Sequence, residues 1–396
     1  MPTTPEGWRV TVRPTATTLS PHRDVVVAYD LEGRPQTWFE GGTTYKRTLA
    51  SDVVARRTVG GVRRRWTLSP AEAEARFARA AEVAADAAAA HAAGGLRDAS
   101  DGVAGDAAPL AARLRDAVRW TPDALRGEAD RFAAAYAPIA ILPPDAYGAV
   151  VVQATFGCAW NRCTYCTFYQ DRPFQVRSRA ALEAHVAAVR ALFGRALAGR
   201  RSVFLADGNA LVLSQDRLLE VLDVVHGAFP GRDVTGFVDV FGGERTPVAA
   251  WRTLRARGVR RVAVGLETGH DPLLAYLNKP GGADAAAAFV GDLKRAGLEV
   301  AAILMVGVGG HRFAEGHLRD TEALLARLPL GAEDVVYLSP FVRHGDSRYA
   351  ALAERDGLRD LDDAALAAQE AALRAAARRA APAARVARYA IDEVAY

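Results

Sequence analysis

The sequence predicts an α/β chain in which a small β-rich segment and a helical segment precede a parallel sheet of about six strands with outer helices. Three observations predict it. From Tyr147 onward, short Val-rich apolar runs alternate with longer amphipathic stretches. Before residue 68 the apolar runs are instead punctuated by tight-turn residues. No apolar run approaches the roughly 18 to 20 residues of a membrane span. At 396 residues, 50% hydrophobic and 24% charged, the chain has the balance of a globular protein of one large or two ordinary domains.

The start, "MPTTPEGWRVTVRPTATTLS", lacks the apolar core of a signal peptide, so a cytoplasmic protein is expected. Residues 24–57 carry β-branched and aromatic runs broken by Glu-Gly-Arg-Pro and Glu-Gly-Gly, the grammar of strands joined by tight turns; residues 1–68 are read as a β-rich cap. The "RRRW" run at Arg63–Trp66 reads as a solvated charged edge. Ala, Arg and Leu then recur at helical spacing from Ser69 to about Ala93 and from Pro109 to about Tyr136, with the loop "GGLRDASDGVAGDAAP" between them. Residues 69–146 thus form a helical segment.

Over 147–349 the runs "GAVVVQAT", "SVFLA", "VTGFVDV", "RVAVGLE", "VAAILMVGV" and "DVVYLS" read as strands, and their continuous apolar character fits burial on both faces. The helix after the first shows the pattern well: Leu182, Val186, Val189 and Phe193 share one face behind a Ser178 cap. Curled, such a sheet is a partial TIM-type barrel; open, it is doubly wound. Either form places chemistry at the carboxyl ends of the strands. Residues 350–396 read as an Ala-rich helix closed near Pro382 and a terminal strand from Arg385, to which composition assigns no catalytic role.

A net charge of +4, from 50 basic and 46 acidic residues, does not argue for a nucleic-acid partner. The chemistry concentrates in "TFGCAWNRCTYCTFY". All 3 cysteines of the chain, Cys158, Cys163 and Cys166, fall there in a C-x4-C-x2-C spacing. Three thiols make no disulfide framework. A closed structural zinc site wants four ligands, and no histidine lies between Cys158 and Cys166. A plant-type two-iron cluster needs a distant fourth cysteine that this chain lacks. A four-iron, four-sulfide cubane on three thiolates leaves one iron open to an external ligand. An iron-sulfur electron carrier and a zinc-binding module remain as rivals.

On these residues the chain resembles the radical S-adenosylmethionine (radical SAM) superfamily, whose three cysteines follow the first strand of a partial barrel. The usual spacing is C-x3-C-x2-C; here the first gap is one residue longer, and Tyr165 matches the aromatic before the third cysteine. Asp207, Gly208 and Asn209 occupy the place of the family's Gly-Gly-Glu segment without reproducing it, and Asp239 follows the third strand. "VGLETGHDPLLAYLNKP" is similar to a segment of the coproporphyrinogen-dehydrogenase-like and elongator-like branch, which puts Glu267 on ribose hydroxyls and Lys279 on the methionine carboxylate. Gly307, in "MVGVGG", falls where the family approaches the adenine.

The resemblance implies a partial (β/α)6 TIM-type barrel and a 4Fe-4S cluster on Cys158, Cys163 and Cys166, with the oxygen sensitivity such clusters bring. It further implies S-adenosyl-L-methionine as cosubstrate, a reductant such as a flavodoxin or ferredoxin, and a small-molecule or peptide substrate. The N-terminal cap is expected to cover the open mouth of the barrel. With no second cysteine cluster, sulfur insertion is disfavoured, and no α/β domain for cobalamin precedes the barrel. Arg343 and His344 are substrate-facing candidates, whereas His270 and His317 read as helix-start or packed surface residues.

Overall fold

The computed structural model describes residues 8–96, 110–390 and 396; the loop expected over 94–109 lies mostly outside them. The chain falls into two compact units, Met1–Pro138 with Ala187–Arg201 and Ala395–Tyr396, and Ile139–Val186 with Ser202–Val394.

The first unit is built on seven strands: β1 (Arg9–Arg13), β2 (Ala16–His22), β3 (Val25–Tyr29), β4 (Pro35–Glu40), β5 (Thr43–Arg47), β6 (Val53–Val59) and β7 (Val62–Thr67). Each pairs antiparallel with the next, so the strands begin well before Asp24 and form one continuous meander. Alternation sends Val10, Val12, Leu19, Val25, Val27 and Trp38 to one face, where the helix Pro70–Ala92 buries Phe77, Ala80 and Val83. That helix starts where Ser69 and Glu72 form a capping box. The stretch read as one helix to Tyr136 is two, Leu110–Val118 and Pro122–Ala135. Thr121 caps the second and Pro122, lacking an N–H, opens it, which ends continuity from the first. "RRRW" lies in the edge strand β7, with Arg64 and Arg65 opposite Arg57 and Arg56.

Three charges, Arg34, Arg47 and Glu128, are buried inside this unit, and Asp30 beside them is half-buried. Glu128, 0% exposed, takes Arg34 at 2.5 Å and Arg47 at 2.8 Å, and Arg34 also reaches Asp30 at 2.8 Å. Arg34 further donates to the carbonyls of Leu192 and Phe193.

The second unit holds β8 (Val150–Gln153), β9 (Thr155–Phe156), β10 (Gln175–Val176), β11 (Ser202–Ala206), β12 (Asp233–Val238), β13 (Val259–Glu267), β14 (Glu299–Val306), β15 (Val335–Pro340) and β16 (Arg385–Arg388). Strands β9 and β10 make a small antiparallel pair. The other seven form one fully parallel sheet in the order β8, β11, β12, β13, β14, β15, β16, whose two edges do not pair with each other. The sheet therefore has one strand more than the six apolar runs of 147–349 suggest, and the terminal strand at Arg385 supplies it. All eight residues of β14 are buried, as a strand covered on both faces requires. Helices alternate with the strands, among them Arg179–Phe193, Gln215–Ala228, Val248–Ala256, Ala283–Arg295, Gly310–Leu325 and Asp363–Ala380. Among the described residues no helix is long and apolar enough to cross a membrane.

Candidate functional site

The cysteine loop leaves β9 at Gly157, whose φ of +71° strains any residue with a Cβ and whose Cβ would crowd the Pro173 carbonyl at 3.0 Å. It returns through β10, so the β9–β10 pair clamps its base. Between those ends the loop is strapped down by polar contacts. The Thr164 N–H donates to Leu277 O at 2.9 Å, the Trp160 indole to Asn278 O at 2.9 Å, and the Asn278 amide back to Arg162 O at 2.8 Å. Asn161, at φ +45°, donates to Tyr169 O at 2.7 Å. The thiols are thus held on a preformed loop, and all three are free.

One cavity then collects the carboxyl ends of all seven parallel strands. Cys158, Cys163 and Cys166 line it from the loop after β8, Gly208 from β11, Asp239 from β12, Glu267 from β13, Met305 from β14, Ser339 from β15 and Tyr389 from β16. Seven strands at about 4.8 Å spacing would spread across roughly 29 Å if flat. A shared cavity therefore means that the sheet curls into an open barrel.

Within the cavity Lys279 Nζ lies 3.2 Å from Glu267 Oε1, and Tyr165 donates its hydroxyl to the same oxygen at 2.9 Å. Glu267 sits at φ +61° on a bulge in β13, which turns its side chain out of the strand's alternation. Gly265 makes this possible: a Cβ there would meet Glu267 Oε1 at 2.4 Å. Burial pulls the Lys279 ammonium down, but Glu267, Cys163 and Asp239 outweigh it and hold its pKa above the usual lysine value. Burial pushes the Cys163 thiol up to about 11 against the pull of Lys279, and the Cys166 thiol up to about 12 against the hydrogen bond from the Phe168 N–H, with neighbouring negative groups adding to both. Such thiols give up their protons to a bound cation. Among the described residues, no three His, Cys, Asp or Glu side chains converge as one metal ion would need. A cubane places each thiolate on a different iron and does not demand that convergence, so a loop of three cysteines beside an ammonium–carboxylate pair fits a cluster with an open iron.

The structure brings Cys158, Cys163, Cys166, Gly208, Asp239, Glu267, Lys279 and His344 to the cavity. It puts the other sequence candidates elsewhere. Asp207 is buried and accepts from the Gly157 N–H at 3.1 Å, while Gly208 N–H donates to Gly157 O, so Asp207 ties β11 to the start of the cysteine loop. Asn209 is buried against Asp239: its amide donates to the carboxylate and its carbonyl oxygen accepts the Asp239 N–H at 3.2 Å. Gly307 faces the helix Asp363–Ala380; its N–H donates to Gln369 at 2.6 Å, and a Cβ would strike Leu366. Met305, two residues earlier on the same strand, lines the cavity in its place. Arg343 pairs with Asp360 at 3.0 Å.

His270 precedes the helix Asp271–Tyr276 and pairs with Asp320 at 2.6 Å, as a helix-start residue can. His317 is a correction, since it is 0% exposed rather than at the surface. Burial lowers its pKa to about 4, so the imidazole is neutral. Met305 O can only accept, so Nε2–H donates to it at 2.9 Å and Nδ1 accepts the Thr268 hydroxyl at 2.7 Å. This imidazole joins the ends of β13 and β14 directly behind the cavity.

Sequence reading missed Gly265, the aromatic wall formed by Trp160, Phe168, Tyr169, Phe237, Phe241 and Phe341, and Tyr389 from a segment read as compositional only. Position at the end of an apolar run was the available signal for Phe237 and Phe341. Nothing local distinguished Tyr389.

Compared with known proteins, residues 152–321 match the family model of the Radical SAM superfamily. No curated protein sequence matches the chain. Among solved structures it is similar to the radical SAM enzyme coproporphyrinogen III oxidase (HemN) from Escherichia coli, at 15% identity and a TM-score of 0.46, over 64% of this chain and 56% of that one. It is also similar to the radical SAM methyltransferase TsrM from Kitasatospora setae, at 15% identity and a TM-score of 0.39, over 50% of this chain and 38% of that one. A third, methylornithine synthase (PylB), stands at 15% identity and 0.40, over 61% and 72%. The chain thus spans less than two thirds of the oxidase and of the methyltransferase.

Proposed function

We propose that this radical SAM superfamily protein, whose family domain spans residues 152–321, holds a 4Fe-4S cluster on Cys158, Cys163 and Cys166 and uses it to cleave S-adenosylmethionine and abstract hydrogen from a small-molecule or peptide substrate. The observation that carries this reading is the convergence on one cavity of three free thiols and the Glu267–Lys279 pair. When bound and reduced, the cluster supplies one electron that splits the S–C5′ bond of S-adenosylmethionine, giving methionine and a 5′-deoxyadenosyl radical that takes a hydrogen atom from substrate.

The chain's own residues prepare that step. The three thiols would hold such a cluster as thiolates, and with no fourth cysteine in the chain one iron would be left for an external ligand. Lys279 offers an ammonium to a carboxylate, and Glu267, oriented by Tyr165, offers acceptors to ribose hydroxyls. Asp239, fixed by Asn209 and by the Gly242 N–H it accepts, is the further polar group on that side. The aromatic wall excludes water from the reacting centre. An external low-potential reductant, such as a flavodoxin or ferredoxin, supplies the electron.

The test is anaerobic reconstitution with iron and sulfide, reduction, addition of S-adenosylmethionine and mass-spectrometric assay of 5′-deoxyadenosine beside Cys163→Ala. About four irons per chain, and 5′-deoxyadenosine only with intact cysteines, are expected. A cluster that forms but neither cleaves S-adenosylmethionine nor changes spectrum on its addition would support an electron carrier instead; one zinc and no iron would support a zinc-binding module.

A further inference from the structure

Glu267 is the middle residue of a three-residue turn: the Thr268 N–H donates to Leu266 O at 2.7 Å, and Glu267 itself stands at φ +61°. A turn of this kind centred on a residue other than glycine is strained, and it persists only where the residues beside it are held in place. Glycine would adopt the same backbone without steric cost, yet the chain puts a glutamate there. Its carboxylate is the group that meets Lys279 and the Tyr165 hydroxyl on the cavity wall.

The restraint lies on the far side of the turn, where Thr268, His317 and Thr321 are all fully buried. The Thr268 hydroxyl donates to His317 Nδ1 at 2.7 Å and accepts the His270 N–H at 3.0 Å. The amide between them, Gly269 N–H, donates to the Thr321 hydroxyl oxygen at 2.9 Å. His317 and Thr321 stand four residues apart on the helix Gly310–Leu325, so one helix face presents both groups. The bond from His317 Nε2–H to Met305 O fastens that face to β14. Gly269 lets the main chain lie against the helix, since a Cβ there would meet the Asp320 carbonyl at 2.3 Å. Residues 261–265 are meanwhile fixed in the ladder with β14. With both flanks held, the chain has to turn at Glu267, and the turn delivers its side chain to the cavity.

We propose that Thr268, held by His317 and Thr321, is a positioning residue: it imposes the left-handed backbone of Glu267 and so aims that carboxylate at the molecule the cavity binds. This rests on the radical reading only in naming S-adenosylmethionine as that molecule. The backbone part is tested on the full-length chain without its cluster, by scanning calorimetry.

Glu267→Gly and Glu267→Ala both remove the carboxylate and differ by one Cβ. At an ordinary position the first melts lower than the second. At a position held left-handed it should melt higher, by about 2–4 °C. Thr268→Val keeps the shape of the side chain and removes the hydroxyl, so in that background the advantage of Glu267→Gly should vanish or reverse. Thr321→Val frees the Gly269 amide and should abolish the advantage by a second route, which decides the matter if Thr268→Val does not fold. Thr268→Ser keeps the hydroxyl and should preserve it. An advantage absent from the start, or one that survives the loss of either hydroxyl, overturns the proposal.

In the reconstituted protein Thr268→Val should weaken S-adenosylmethionine binding about tenfold, as expected for one hydrogen bond to a charged group. It should weaken binding no further once Glu267→Ala is present, because the two act through the same contact. Losses that add in the double variant would show that Thr268 acts by another route, and they overturn the proposal as well. If the reconstituted parent binds no S-adenosylmethionine while the melting comparison comes out as expected, the radical reading falls and the positioning of Glu267 by Thr268 stands.

Discussion

In the antiparallel unit, Glu128 and Asp30 answer Arg34 and Arg47, two carboxylates to two guanidinium groups, and spare donors of Arg34 end on main-chain carbonyls. In the parallel unit, three cysteines end on a cavity, and the Glu267–Lys279 pair opens onto it. Both units bury polar groups, yet one set is closed on itself and the other is left to be completed. A closed set has its charges answered inside the fold, even where, as at Arg47, burial costs more than the partners return. An open set makes sense through the molecule that completes it. Losses in the first should therefore appear as instability, and losses in the second as lost binding.

The largest effect expected from breaking that contrast is at Glu128. Glu128→Gln leaves two buried guanidinium groups short of charge and should lower stability by about 3–5 kcal/mol, read as a lower midpoint in urea. Cluster-free Cys163→Ala should move the same midpoint by about 1 kcal/mol or less. If the two variants lose equal stability, the closed-versus-open distinction fails.

A second, smaller effect comes from His317, which shows that the parallel unit also closes its polar groups where they face away from the cavity. Its folded pKa of about 4 lies below the ordinary 6.5. Between those values the unfolded chain takes up a proton that the folded chain refuses. The stability it contributes is thus fully present above pH 6.5 and drains as pH falls towards about 4, by up to about 3 kcal/mol. Denaturant titrations across that window should show the decline in the parent and a flatter profile in His317→Gln. Equal slopes would mean that His317 is protonated in the folded protein.

The smallest is at Lys279. Lys279→Met keeps much of the apolar stem and removes the charge, and should weaken S-adenosylmethionine binding to the reconstituted protein by about tenfold, as expected for one charged hydrogen bond. Unchanged affinity with reduced stability would place the Glu267–Lys279 pair among the closed, structural groups instead.

The parallel sheet was legible because fully buried strands must be apolar throughout and their helices amphipathic, so β8 and β11–β15 announce themselves in composition. The three thiols were legible because clustered cysteine is rare and its coordination chemistry restrictive. Glu267 and Lys279 could be singled out only through resemblance, since a strand-end carboxylate and a helix-end lysine are ordinary features. The continuation of the meander to Arg9, the break at Thr121–Pro122 and the interior place of His317 escaped because turn chemistry and burial depend on distant partners. Asp207, Asn209 and Gly307 were found by position, but position could not tell a residue that lines the cavity from one that braces the loop behind it.

The sequence by itself determined the period of each element, the parallel character of the sheet and the identity of the thiol donors, because these follow from local backbone geometry and side-chain chemistry. Which side chains share the cavity was decided only by tertiary structure. Curling the sheet brings residues from Cys158 to Tyr389 to one opening, a separation along the chain that no local pattern encodes. Gly265 lets Glu267 fold back on Lys279, and the pairing of β16 with β15 carries Tyr389 to the cavity wall. Those placements depend on strand register and on the space one missing Cβ leaves, quantities that exist only once the chain has folded.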